Sequence, residues 1–388
     1  MAGVALERKG KSFAARQRVQ STATMPDGTG ESGERRMNDT QRQNYRGNEA
    51  VFAWHDEARP PEVRERAAGF EAEKQEIAPW FSREAAAVWA ACGAFEWIAL
   101  GYLGLSSALI ATFAENLAHP AKLIGVQALA ALIILALCRI GASYVDEATR
   151  TGEIVSTKFW HFWRHWYPHL FFLFCFEELA KLVHLVNPRW EDAKLLEFDQ
   201  WLTGVNPSLW LERFVHPALN EFMQFAYFTY FVYLLVLGAI LYYQRDLKNY
   251  WAAITYSAVA YVFGYVISIF FPVQSPWFTL AGQWHGELMG GPFTALIGFI
   301  ERYGRVHGAA FPSQHVAGAV AALWGARRHR RWLFWIFLPF VLCMCVSTVY
   351  VRNHYVADVI GGIVTGTLGY MIGTWIMKTR GAVVTGAR

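Results

Sequence analysis

Eight stretches of this 388-residue chain are apolar over roughly the length that crosses a bilayer. They fall near 86–113, 123–142, 159–187, 219–243, 250–271, 314–326, 332–351 and 355–377, the sixth being short. A spanning helix needs about 20 mostly apolar residues, and inside hydrocarbon only a helix satisfies all of its own backbone groups. The expected fold is therefore all-α, a polytopic membrane bundle of about eight transmembrane helices. Composition agrees, since 54% of the residues are hydrophobic and 17 are Trp, more than an ordinary soluble domain carries.

Residues 1–83 read differently. Stretches such as "GERRMNDTQRQNYRGNE" hold almost no sustained apolar run, and such a segment cannot bury enough surface to offset its ordering entropy. A disordered cytoplasmic tail is expected there, and a second short one at 379–388. Arg8, Lys9, Lys11, Arg16 and Arg18 against Glu7 give the opening a faint likeness to a transit peptide; a plain tail is the simpler reading. The five cysteines lie in apolar runs, where a thiol acts as a small hydrophobe, and suggest neither disulfides nor zinc. The net charge of +4 forms no basic stripe, so nucleic acid is not an expected partner.

The distribution of charge orients the bundle. If the eight helices alternate, the Arg139/Arg150/Lys158 loop, the "RDLK" turn and "RRHRR" (Arg327 to Arg331) share one side with Lys378 and Arg380. The positive-inside rule makes that side cytoplasmic, with both termini. An integral protein of the cell (inner) membrane is expected, its loops 188–218 and 272–313 and its 351–354 junction facing away from the cytoplasm.

Three polar segments share that outward end: "FFPVQSPWF" (Phe270 to Phe278), "AAFPSQHVAGA" (Ala309 to Ala319) and "STVYVRNHYVAD" (Ser347 to Asp358). Ionisable residues at such depths are costly and point to function. His354 and Asp358 are four apart, on one face of a helix, where the carboxylate can fix the imidazole tautomer and leave the other nitrogen basic. Ser313 is a candidate cap and His315 stands in the first turn of the next helix, whose free amides attract an oxyanion. Taken singly each feature has an ordinary structural explanation, a helix start or an interfacial anchor. Their joint order on one membrane face does not.

"FPSQH" followed by S-T-x5-H-x3-D resembles the second and third signature motifs of the type 2 phosphatidic acid phosphatase (PAP2)/vanadium haloperoxidase superfamily. "FPVQSPWF", "GAAFPSQHVAG" and "STVYVRNHYVADVIGG" look closer still to its inositol phosphorylceramide synthase-like branch of inositol phosphotransferases. The resemblance covers about residues 165–375 and implies a catalytic membrane domain over 159–378, with two additional transmembrane helices at 84–158. Carried onto this chain, it implies His354 as the nucleophile that forms a phosphohistidine, Asp358 as its orienting carboxylate and His315 as general acid and then base. Ser313 is implied as a phosphate ligand, with Ser347, Thr348 and Pro276 in the same motifs. It implies no metal or other cofactor. The implied function is a lipid phosphatase or phosphotransferase, with a phosphorylated lipid as substrate, membrane lipids around it and an alcohol as a candidate acceptor.

The chain departs from the phosphatase pattern, K-x6-R-P with an Arg after the Ser of the third motif. The three basic positions hold Ser268, Ser275 and Thr348. Arg352, two residues before the nucleophile, is the expected replacement, because a guanidinium clamps two phosphate oxygens. The loop "GQWHGELMGGPFTALIGFIERYGRVHG" reads as an interfacial lid, with His285, Arg305 and His307 as headgroup contacts. Glu177, Glu178 and Lys181 read as a mutually neutralised cluster. Two alternatives stand beside this reading: a metal cluster of His285, His307, His315 and Asp358, and a non-catalytic scaffold or transport protein that keeps the motifs for packing.

Overall fold

The computed structural model describes residues 80–151 and 158–380, so the expected tails lie almost wholly outside the described residues. The described chain is helical and contains no strand; one isolated bridge joins Val273 to Ala309. Its helices are α1 (Trp80–Ala91), α2 (Ala94–Thr112), α3 (Pro120–Thr151), α4 (Lys158–Leu182), α5 (Asp192–Thr203), α6 (Pro207–Leu211) and α7 (Pro217–Phe228). They continue with α8 (Tyr230–Tyr243), α9 (Leu247–Phe270), α10 (Pro276–Thr279), α11 (Pro292–Gly304), α12 (Gln314–His329), α13 (Arg331–Tyr350) and α14 (Val356–Arg380).

Five of these are long and apolar enough to cross a membrane: α2, the Pro120–Gly141 part of α3, α9, α13 and Val356–Thr379 of α14. A sixth is added if α7 and α8, bent by 41° at their junction, count as one span. The expected count of about eight is thus not confirmed, and the two helices that fall short do so for different reasons. The 16 residues of α12 reach only about 24 Å at 1.5 Å per residue. By contrast α4 has 25 residues but carries Arg164, Glu177, Glu178 and Lys181.

Arg164 and Glu178 of α4 find partners on neighbouring helices. Arg164 pairs with Glu96 of α2 at 2.8 Å and lies 4.6 Å over the Trp251 ring. Glu96 also accepts the Tyr167 hydroxyl at 2.7 Å. Glu178 accepts from Gln127 of α3 at 3.0 Å. Desolvated charge persists only with such partners, so these links fix α2 and α3 against the rest of the bundle.

At the centre, α9 is the most buried of the spans, and α14 lies in the groove between α9 and α12. Small residues permit the approach. A Cβ on Gly366 would lie 2.5 Å from the Ala317 carbonyl oxygen, and one on Gly369 would lie 2.7 Å from that of Tyr256. Membrane helices pack closely where glycines leave such room, and here the packing brings the start of α12 beside the start of α14.

Two helix starts near that end are capped from elsewhere in the chain. Glu221 of α7 accepts the N–H groups of Gly291 and Phe293 at 2.6 Å each and of Thr294 at 3.1 Å, which holds α11 down. Asp199 of α5 accepts from Val356 and Ala357 at 2.8 and 2.9 Å and so caps α14. The first N–H groups of any helix need outside acceptors, and a carboxylate also complements the helix dipole.

Candidate active site

The segment between α13 and α14 is a tight turn built around one carbonyl. Thr348 oxygen accepts from Asn353 N–H at 3.1 Å and from His354 N–H at 3.0 Å, while Arg352 takes a left-handed φ of 69°. With α14 anchored by Asp199, His354 and Asp358 face each other one turn apart, Nδ1 to Oδ2 at 3.1 Å. The same Oδ2 accepts the Tyr355 N–H at 2.8 Å. That oxygen is an acceptor, so His354 Nδ1 is the donor and its Nε2 keeps the lone pair.

Ser313 supplies the second half. Its Oγ accepts the Val316 N–H at 3.4 Å as the cap of α12, and its own N–H donates to the Asp358 carbonyl at 3.0 Å, tying the two helix starts together. His315, in the first turn, places Nδ1 3.1 Å from His354 Nε2 and Nε2 2.8 Å from the Tyr227 hydroxyl. Since His354 Nε2 accepts, the donors follow in order: Tyr227 O–H to His315, His315 N–H to His354, His354 N–H to Asp358. His354 is 4% exposed and Asp358 fully buried. Burial pushes the His354 imidazole down to about 4, and the nearby Arg305 cation acts in the same direction. The nucleophile candidate is therefore neutral across ordinary pH.

A cavity of about 420 Å³ opens on this file of side chains. Phe172, Phe176, Leu234, Leu235, Tyr261 and Tyr265 give it an apolar body, while Gln274, Glu301, Arg305 and Asn353 join His315 and His354 at a polar end. Ligand sites of this size commonly combine an apolar wall with a few fixed polar groups.

The structure gathers His315, His354 and Asp358; Ser313 lies beside them but is fully buried, is absent from the cavity wall and spends its Oγ on the cap of α12, and the remaining phosphate-binding candidates do not line the cavity either. Ser347 and Thr348 are fully buried, and their hydroxyls return to the carbonyls of Met344 and Cys345, each at 2.9 Å, inside α13. Pro276 is buried at the start of α10, and its neighbour Ser275 reaches the cavity instead. Arg352 requires a correction. Its left-handed turn carries the guanidinium to the loop around Gly286, where it donates to Gly286 oxygen at 2.7 Å and Glu212 at 3.3 Å and stacks 4.2 Å over Trp284. It is absent from the cavity wall, so its geometry does not fit a phosphate clamp.

Nor do the histidines gather as a metal cluster. His285 sits on Glu212, and His307 packs against Trp190 and Phe278. No group of three His, Cys, Asp or Glu side chains among the described residues is arranged to hold a metal ion. Sequence reasoning missed Tyr227, which looks like any aromatic of an apolar helix. It also missed Asp199 and Asp192 of α5. Asp192 accepts from Tyr355 and Thr279 hydroxyls at 2.9 and 2.8 Å and from Gln274 N–H at 3.0 Å. Their seven-residue spacing on one helical face was the available signal.

No curated protein and no solved structure matches this chain. Residues 193–372, which carry Asp199 and the whole file from Tyr227 to Asp358, match the family model described as the PAP2 superfamily, members of which are phosphatases.

Proposed function

We propose that this protein is an integral membrane phosphatase or phosphotransferase that acts on a lipid phosphate through a phosphohistidine at His354. The observation that carries the reading is the ordered file Tyr227–His315–His354–Asp358 opening into an apolar cavity. A neutral imidazole with one nitrogen tied to a carboxylate offers its other nitrogen as a nucleophile. His354 Nε2 attacks phosphorus, the P–O bond to the departing group breaks, and His315 delivers its proton to that oxygen. In the second half His315 takes a proton from the attacking hydroxyl as the P–N bond of His354 breaks. Water as the attacker makes the enzyme a phosphatase, an alcohol a transferase. The apolar cavity suits a lipid chain, and the superfamily match over 193–372 supports phosphoryl transfer.

Two finer points belong to the same proposal. Ser268, Ser275 and Thr348 at the family's basic positions favour the inositol phosphorylceramide synthase-like branch and hence an alcohol acceptor. The site opens on the non-cytoplasmic face, opposite the Arg-rich turns. The purified protein should release phosphate from, or transfer it between, members of a panel of labelled lipid phosphates offered with and without alcohols. Intact binding of such lipids with no turnover of any would favour a non-catalytic membrane protein.

A further inference from the structure

Apart from its histidines, the cavity wall carries three ionisable side chains of full charge: Glu177, Glu301 and Arg305. A phosphoryl group held there brings negative charge against a largely apolar wall, where an unpaired charge is costly. Among the described residues, Arg305 is the one cationic side chain of Lys or Arg type on that wall. It caps the end of α11, the helix that Glu221 fastens at its start.

The state of Arg305 is unusual. One arm, Nη2, pairs with Glu301 of the preceding turn, while the other, Nη1, is buried without a hydrogen-bond partner. Its guanidinium lies 5.0 Å from the Trp277 ring and 5.7 Å from that of Phe278, which fixes the plane of the fork. Glu301 is held independently, since Oε1 accepts from Asn353, the neighbour of His354, at 2.6 Å. An arginine with one arm spent on a carboxylate and the other free is half of a bidentate anion clamp.

We infer that Arg305 neutralises the phosphoryl group and does so by exchange, releasing Glu301 and taking two phosphate oxygens in its place. The inference rests on the phosphotransfer reading above. Glu301 stays with Asn353 when the exchange occurs, so it acts as a built-in competitor that keeps Arg305 paired until an anion of the right shape arrives. This assigns to the end of α11, outside the three polar segments, the task expected of Arg352.

The exchange predicts opposite effects for the two partners, which a merely structural ion pair does not. Full-length protein in detergent is titrated calorimetrically with orthovanadate, a phosphate mimic, so that binding is read without turnover. Arg305→Gln should weaken binding at least tenfold, and Arg305→Lys should weaken it less, because an ammonium restores the charge but not the paired donors. Glu301→Gln should tighten binding several-fold, since the amide keeps the Asn353 contact without competing for Arg305. A tightened variant cannot arise from misfolding. Unchanged affinity in Arg305→Gln, or weaker binding in Glu301→Gln, overturns the exchange while leaving the catalytic reading in place. Wild-type protein that binds no vanadate overturns both.

Discussion

Nδ1 of His315 lies 3.1 Å from Nε2 of His354, so in the proposed mechanism the lone pair that would attack phosphorus is engaged by the N–H that would protonate the departing oxygen. On that proposal a phosphoryl group would part the two rings, with the nucleophile on one side and the proton donor on the other. The two histidines would then have separable roles, which variants can tell apart.

His315→Ala should still form phosphoenzyme from a substrate whose departing oxygen is stable as an anion, such as an aryl phosphate ester. On an alkyl ester it should lose about 10²–10⁴ in rate, the usual worth of general acid catalysis. Rapid-quench kinetics on the two ester types checks this. Equal losses on both would place His315 in some other role.

Tyr227→Phe removes the proton that holds His315 Nε2 as an acceptor and leaves the tautomer of His315 unfixed. We expect kcat to fall about tenfold, which corresponds to about 1.4 kcal/mol of transition-state stabilisation, with KM little changed. A rise in KM at constant kcat would mean that Tyr227 contacts substrate instead.

The pairing of His354 with Asp358 was legible in the sequence because only four residues separate them across the start of α14, a spacing that brings the side chains together. The same locality made the Ser313 cap of α12 readable. Tyr227 and His315 are 88 positions apart, and Asp199 reaches Val356 across 157; such contacts depend on how helices stack, which hydropathy does not record. Apolar runs likewise located the helices, though the count of about eight spans is not confirmed. The Arg164–Glu96 pair holds a charged helix in the bundle through a partner that sequence spacing cannot identify. Arg352 failed for a local reason, its positive φ, which no residue type announces in a non-glycine.

Acidity offers a third check. Burial lowers His354 to about 4, so the free enzyme keeps its nucleophile unprotonated well below the ordinary histidine value of about 6.5. With a phosphodiester substrate, whose charge is constant over the range, kcat/KM should hold through pH 6 and fall only as pH approaches about 4. The stability sign is consistent with this: between 6.5 and 4 the unfolded chain binds the extra proton, so this residue's contribution is lost as pH falls through that window. An acid limb centred near 6.5 would contradict the buried, neutral His354.

Asp199→Ala removes the acceptor of the first N–H groups of α14. Loss of a cap costs about 0.5–2 kcal/mol, and here the helix start also aims His354. The variant should unfold at a lower temperature and lose at least tenfold in kcat, with Asp199→Asn retaining part of both. Wild-type kcat in a destabilised Asp199→Ala would show that the cap serves stability alone.

The proposed mechanism turns on a covalent bond between phosphorus and His354 Nε2. The direct measurement is to mix the protein with lipid phosphate carrying labelled phosphorus, quench in alkali within the first turnover, and map the labelled peptide. An acid-labile, alkali-stable label is expected on the peptide containing His354, and none in His354→Ala. Turnover that proceeds with no such label in wild type, or a full label in His354→Ala, would contradict it.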